Sequence, residues 1–240
     1  MGLESLEKIE TISNNEIVED KLEPLVDGSI ECAESAPLED VENLQSRYEE
    51  AEIVTDLEMS EGIADYLENV EGIKYENWQN LSLEQKEEVL NKIEQHIADI
   101  EHRPALKVEL ENLPAKTLGY QSAQDHKIVL NSMYVGSADS NIHKEVIKTI
   151  IHEGRHAYQH YNVDDKCIHE SGAEVETWRE NFYDSQYQYY RSTGQKIVIP
   201  YNDGSLHDVD FRLYYYQPVE IDARNFADDV IKRLEEKGAL

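Results

Sequence analysis

His152, Glu153 and His156 form the string His152-Glu153-Gly154-Arg155-His156. This H-E-x-x-H pattern lies within IHKEVIKTIIHEGRHAYQHY, where Val146, Ile147, Ile150 and Ile151 make an apolar stripe at helical spacing. Residues four apart share a helix face, so both imidazoles can reach one ion. Zinc accepts such nitrogens and lowers the pKa of water to about 7, so a nearby carboxylate can take a proton near neutral pH. Glu153 is the carboxylate for that task. A catalytic zinc takes three protein donors and keeps a further position open, so a third ligand has to be found.

Several residues compete for it. His160 continues the same face, but eight residues from His152 is about 12 Å along the axis, too far to share a tetrahedral ion. It reads as a surface or supporting residue. Glu174 and Glu176 come next, 18 and 20 residues past His156. That spacing resembles thermolysin-type enzymes, although their Asn-Glu-x-x-x-x-Asp context is absent. The metzincin extension requires Gly at 159 and His at 162, and the chain has Gln159 and Asn162. Glu220 stands in QPVEIDARNFA, residues 217–227, and Asp222 in the same string can be a ligand, an orienting partner of a ligand histidine, or a solvated helix residue.

The H-E-x-x-H helix and the 217–227 string together resemble the zincin metallopeptidases of gluzincin type, over roughly residues 80–230. The relatives in question are bacterial, phage-associated or toxin-associated domains. The resemblance implies Glu220 as third ligand, with Ala223 and Ala227 on the same face to let the two helices approach. It also implies a zinc-dependent endopeptidase that cuts a particular protein partner, with Glu153 as general base. A non-catalytic zinc-binding regulatory or interaction module with the same fold would keep the same ligands. An interaction protein with an acidic tail and an incidental H-E-x-x-H would bind no zinc.

Transition-state stabilisation calls for a donor near the metal. Tyr216 and His207, with Tyr214 and Tyr215, precede the Glu220 helix and are available. Residues 127–135 are either the sheet edge that takes an extended substrate or an interior strand. Cys32 in the leader could cap the metal as a latch, while an unreactive cysteine in a tail is the plainer account. Cys167 reads as structural.

Positioning these groups needs a folded body, and hydrophobic residues at 40% of 240 can supply its core. Residues 1–58 read as an acidic, flexible segment with short helices at about 3–10 and 38–52. Residues 1–60 carry 18 acids against 3 bases, and Pro24 and Pro37 interrupt any longer helix. A metallopeptidase domain over 59–240 follows, with a helical lead-in at 60–104. Ser82 and Gln85 make a capping box for a helix ending near Glu101. LKVELENL alternates as a strand, and TLGYQS and KIVLNSMYV around AQDH read as a hairpin. Ser140 caps a helix over 141–161. Further helices are expected at 172–190 and 218–236, the latter opened by Pro218, with a hairpin or loop at QKIVIPYNDGS between them. The fold expected is α+β, zincin-like, with a small mixed sheet.

A net charge of −29 repels nucleic acid and anionic membranes. The expected partner is therefore a protein or peptide substrate. Two cysteines exclude a four-cysteine zinc site and fit a reducing compartment. The acidic start has no apolar signal segment, and no stretch is long enough to span a bilayer. A cytoplasmic protein is expected, or one exported by a route independent of a signal peptide.

Overall fold

The computed structural model describes residues 53–184, 198–200, 206–208 and 214–240. The leader helices and Cys32 lie outside the described residues. Helix α1, Asp56–Glu68, opens with a capping box in which Glu58 N–H donates to Thr55 Oγ1 and Thr55 N–H donates to the Glu58 carboxylate. The folded body thus takes in residues 54–58, which the sequence groups with the leader. After a single turn at Tyr75–Trp78, α2 runs over Leu83–Ile100 behind the Ser82–Gln85 box.

Three strands follow: β1, Lys107–Glu111; β2, Gly119–Ser122; and β3, Lys127–Asn131. β2 and β3 pair antiparallel across residues 123–126, the AQDH turn, with Ser122 opposite Lys127. β1 pairs parallel to β3, so the sheet is mixed, in the order β1-β3-β2. Lys127–Asn131 is therefore an interior strand, followed by a helical turn at Ser132–Val135. The edges are β1 and β2. Gly119 is needed in β2: a Cβ would lie 2.7 Å from Leu130 Cδ2, 2.8 Å from the Val129 carbonyl oxygen and 3.0 Å from Thr149 Cγ2.

Helix α3, Ser140–His160, carries the H-E-x-x-H string. Its cap is Asp139, one residue before the expected Ser140; the Asp139 carboxylate accepts the N–H groups of Asn141 and Ile142. Ile147, Ile150 and Ile151 are 0% exposed, and each such burial contributes about 1.5–3 kcal/mol. A π-helical turn, Tyr161–Asp165, ends the helix. Helix α4 spans Gly172–Asp184, and the rest of the expected 172–190 segment lies outside the described residues. A short hairpin joins β4, Val198–Pro200, to β5, Leu206–Asp208. Helix α5, Pro218–Glu236, starts at proline as expected and packs along α3 and α1.

The result is a helical body with one small mixed sheet, an α+β arrangement. Among the described residues, no helix is long and apolar enough to cross a membrane.

Candidate metal centre

The last two turns of α3 are buried nearly all round. On one side His152 and His156 face the start of α5, where Glu220 is the third helical residue. His152 Nε2 and His156 Nε2 are 3.1 Å apart. Glu220 Oε2 lies 3.4 Å from the first and Oε1 3.4 Å from the second. Zinc bonds of 2.0–2.2 Å at tetrahedral angles put neighbouring donor atoms about 3.4 Å apart. Each carboxylate oxygen thus faces one imidazole nitrogen at a distance of that order, and one donor atom from each of the three residues lies within 4.8 Å of the other two. Among the described residues, this is the group of three acids, histidines or cysteines whose donor atoms converge as a metal requires.

The electrostatics point the same way. Burial alone would lower the His156 pKa; hydrogen bonding to Glu220 and its charge, helped by Glu153 and Gln159, push it up to about 9. Burial alone would raise that of Glu220; His152 and His156, with the Tyr214 hydroxyl, hold the carboxyl well below the usual range. A carboxylate with a side-chain exposure of only 7% is costly unless a cation meets it. In the bare chain a proton on His156 serves, and a divalent ion fits the same place.

Gln159 fixes which nitrogen of His156 faces the site. Its amide nitrogen donates to the Val219 carbonyl at 2.9 Å and to Asp222 Oδ2 at 2.7 Å. The amide oxygen is thereby turned to His156 Nδ1, 2.8 Å away, and only an N–H can satisfy it there. Nδ1 carries the hydrogen and Nε2 keeps its lone pair for the ion. Asp222 is therefore not a ligand and touches no ligand histidine. It acts one step back, through Gln159.

Glu220 is set by α4. Buried Asn181 accepts the Val219 N–H at 3.1 Å and donates to Gln217 Oε1 at 2.8 Å. The start of α5 has no cap of its own, so a neighbouring helix supplies it.

Behind the ligands sits Arg155, 0% exposed. Its Nε and Nη2 donate to the two Asp222 oxygens at 2.8 and 3.0 Å, and Nη2 reaches Asp56 at 2.9 Å. The rings of Phe226, Tyr158 and Trp178 surround it, with centroids 4.5, 4.8 and 5.4 Å away. On the neighbouring side a Cβ on Gly154 would lie 3.2 Å from Arg103 Nη2 and 3.3 Å from Ile97 Cγ2. Arg103 is buried with Glu94 at 2.7 Å and Glu101 at 2.6 Å.

The remaining candidates separate cleanly. Glu174 pairs with His169 at 2.8 Å and Glu176 with Arg179 at 3.3 Å, and neither belongs to the converging group of His152, His156 and Glu220. Glu153 lines a cleft of about 820 Å³ together with His156, Glu220 and the whole of β2. His160 lines the same cleft and is no mere surface residue. Tyr216 is 66% exposed and is not among the cleft-lining residues, whereas Tyr214 lines the cleft. The His207 side chain lies outside the described residues. Cys167 is a half-buried free thiol against the core.

Sequence reasoning missed Gln159, Arg155, Asn181 and Asp56. The one available signal was Asp222, whose reading as an orienting group assumed direct contact with a ligand histidine, where the structure puts Gln159 between them. Comparison with known protein families, curated proteins and solved structures gave no match.

Proposed function

We propose that the chain is a zinc-dependent endopeptidase of zincin type, with His152, His156 and Glu220 as ligands and Glu153 as general base. The observation that carries this reading is the trio of donor separations, 3.1, 3.4 and 3.4 Å, beside a carboxylate in an open cleft. Zinc held there supplies Lewis-acid chemistry, polarising a carbonyl and acidifying water. Glu153 takes the proton of the attacking water on its carboxylate and passes it to the leaving nitrogen. Gln159 holds the His156 hydrogen on Nδ1, and Tyr214 steadies the Glu220 carboxylate.

The substrate is an extended polypeptide. β2 pairs with β3 on one side, and no described strand pairs with its other side. That edge borders the cleft, so its free N–H and C=O groups can take a peptide as an added strand.

Zinc content and proteolysis test the reading together. Expected is one zinc per chain, lost in His156→Ala and Glu220→Ala and kept in Glu176→Ala. Glu153→Gln should keep the zinc and lose about 10²–10⁴-fold in hydrolysis. A chain that takes up no zinc would end the metallopeptidase reading. One zinc with no cleavage of any protein or peptide would leave a zinc-binding interaction module in its place.

A further inference from the structure

One turn beyond His156, the mechanism above leaves His160, Phe182 and Tyr183 unused in the cleft lining, with Asp164 outside that lining and bonded to both His160 and Tyr183. His160 Nδ1 lies 3.2 Å from Asp164 Oδ2. The other Asp164 oxygen accepts the Tyr183 hydroxyl at 2.5 Å. The His160 ring stacks on Phe182 with centroids 4.0 Å apart and planes 12° from parallel. Two contacts thus hold the imidazole, Asp164 and Phe182, and Tyr183 in turn holds Asp164.

The carboxylate decides the tautomer. It can only accept, so Nδ1 carries the hydrogen, and in the neutral ring Nε2 is an acceptor. Burial favours that neutral form, pressing the His160 pKa down against the pull of Asp164. Among the described residues Nε2 has no hydrogen-bond partner. Asp164 has used about two of its roughly four acceptor positions, and its side chain is 36% exposed.

The surroundings favour a cation. The described lining of the cleft contains no Lys or Arg. It presents the rings of Tyr120, Phe182, Tyr183 and Tyr214, whose faces attract ammonium and guanidinium groups. Arg179, on the same helix as Phe182 and Tyr183, is taken up by Glu176 and the Val163 carbonyl. The chain as a whole carries −29, a field that steers cationic partners toward it.

Four residues along α3 is about 6 Å, and an extended peptide advances about 3.3 Å per residue. We propose that His160, Phe182 and Tyr183, with Asp164 polarising His160 and Tyr183 from outside the cleft lining, form a side-chain subsite for a lysine or arginine within two residues of the cleaved bond. The subsite rests on the peptidase reading and gives it a substrate class: polypeptides with a basic residue beside the cut.

The test uses the full zinc-loaded chain, a mixture of unmodified decapeptides of even composition, and mass spectrometry of the fragments. Expected is about tenfold enrichment of Lys and Arg at one position within two residues of the cut, weakening as salt rises. Asp164→Asn keeps the shape and one zinc per chain but should lose most of that enrichment, as should His160→Leu. Cleavage with no basic preference, or a preference unchanged in both variants, overturns the subsite and leaves the peptidase standing. A preference for hydroxyl or amide side chains that the variants lose overturns the cationic class. A zinc-loaded chain that cuts none of the peptides sinks the peptidase reading and the subsite with it.

Discussion

Helix α3 has two faces built on opposite plans. Toward the cleft, its groups are few, partly open and held by single hydrogen bonds. His152 and His156 keep side-chain exposures of 15% and 11%, and their shared partner Glu220 comes from another helix. Away from the cleft, Arg155 and Gly154 are enclosed by α1, α2 and α5, with Arg103, Glu94 and Glu101 beneath them. Under the proposed function the front exchanges a proton, an ion and a substrate. The back has only to stay where it is, and the contrast teaches that His152, His156 and Glu220 owe their placement to residues outside the trio.

The sharpest way to break the contrast is at the back. Arg155→Met should destabilise the chain by about 3–5 kcal/mol, since Asp222 and Asp56 keep their charges without a partner. Thermal melting of the zinc-free protein measures it, and a change below about 1 kcal/mol would show the back to be dispensable.

A smaller effect concerns pH. Burial raises the Glu101 carboxyl to about 7, against the lowering influence of Arg103 and Arg155. A carboxyl whose folded pKa lies above its unfolded value contributes stability that is complete below the unfolded value and lost as pH rises through the folded one. From 4.5 to about 7, that loss amounts to at most about 3 kcal/mol, at 1.36 kcal/mol per unit. Glu101→Gln should therefore flatten the fall in unfolding free energy between pH 5 and 8, seen by urea titration at several pH values. An unchanged slope would assign the pH dependence to other groups.

The mildest change sharpens the comparison at its boundary. Gln159→Leu leaves all three ligands in place and removes the hold on His156 Nδ1 together with the bonds to Val219 and Asp222. Zinc affinity should fall about 10–100-fold, while melting shifts by only a few degrees. Equal affinity in a competition titration would mean that packing alone orients the ring.

What could be read from the chain follows how local each signal is. The Ser82–Gln85 box, the AQDH turn and the Pro218 start depend on neighbours a few residues apart, and each appears where expected. The H-E-x-x-H pair depends only on helical spacing. Strand order does not: alternation marks LKVELENL as a strand without saying that it pairs parallel to β3, which puts β3 in the interior and β1 and β2 at the edges. Gln159 and Asn181 sit on helices where a polar residue ordinarily faces water. Both are buried by elements distant in the chain, at 0% and 5% exposure, and no spacing rule reports that. Adjacent candidates also blur, as with Asp139 for Ser140 at the cap and Tyr214 for Tyr216 at the cleft.

The clamp between the two ligand-bearing helices has a consequence for how such a chain can change over generations. His156 and Glu220 are separated by 63 residues, yet Arg155–Asp222 and Gln159–Val219 tie their helices directly to each other. The relative placement of the ligands is therefore indifferent to the length of chain between Asp184 and Tyr214. Under the proposed function the metal geometry is thus inherited from the two helices together, and a change that spares both ties spares it.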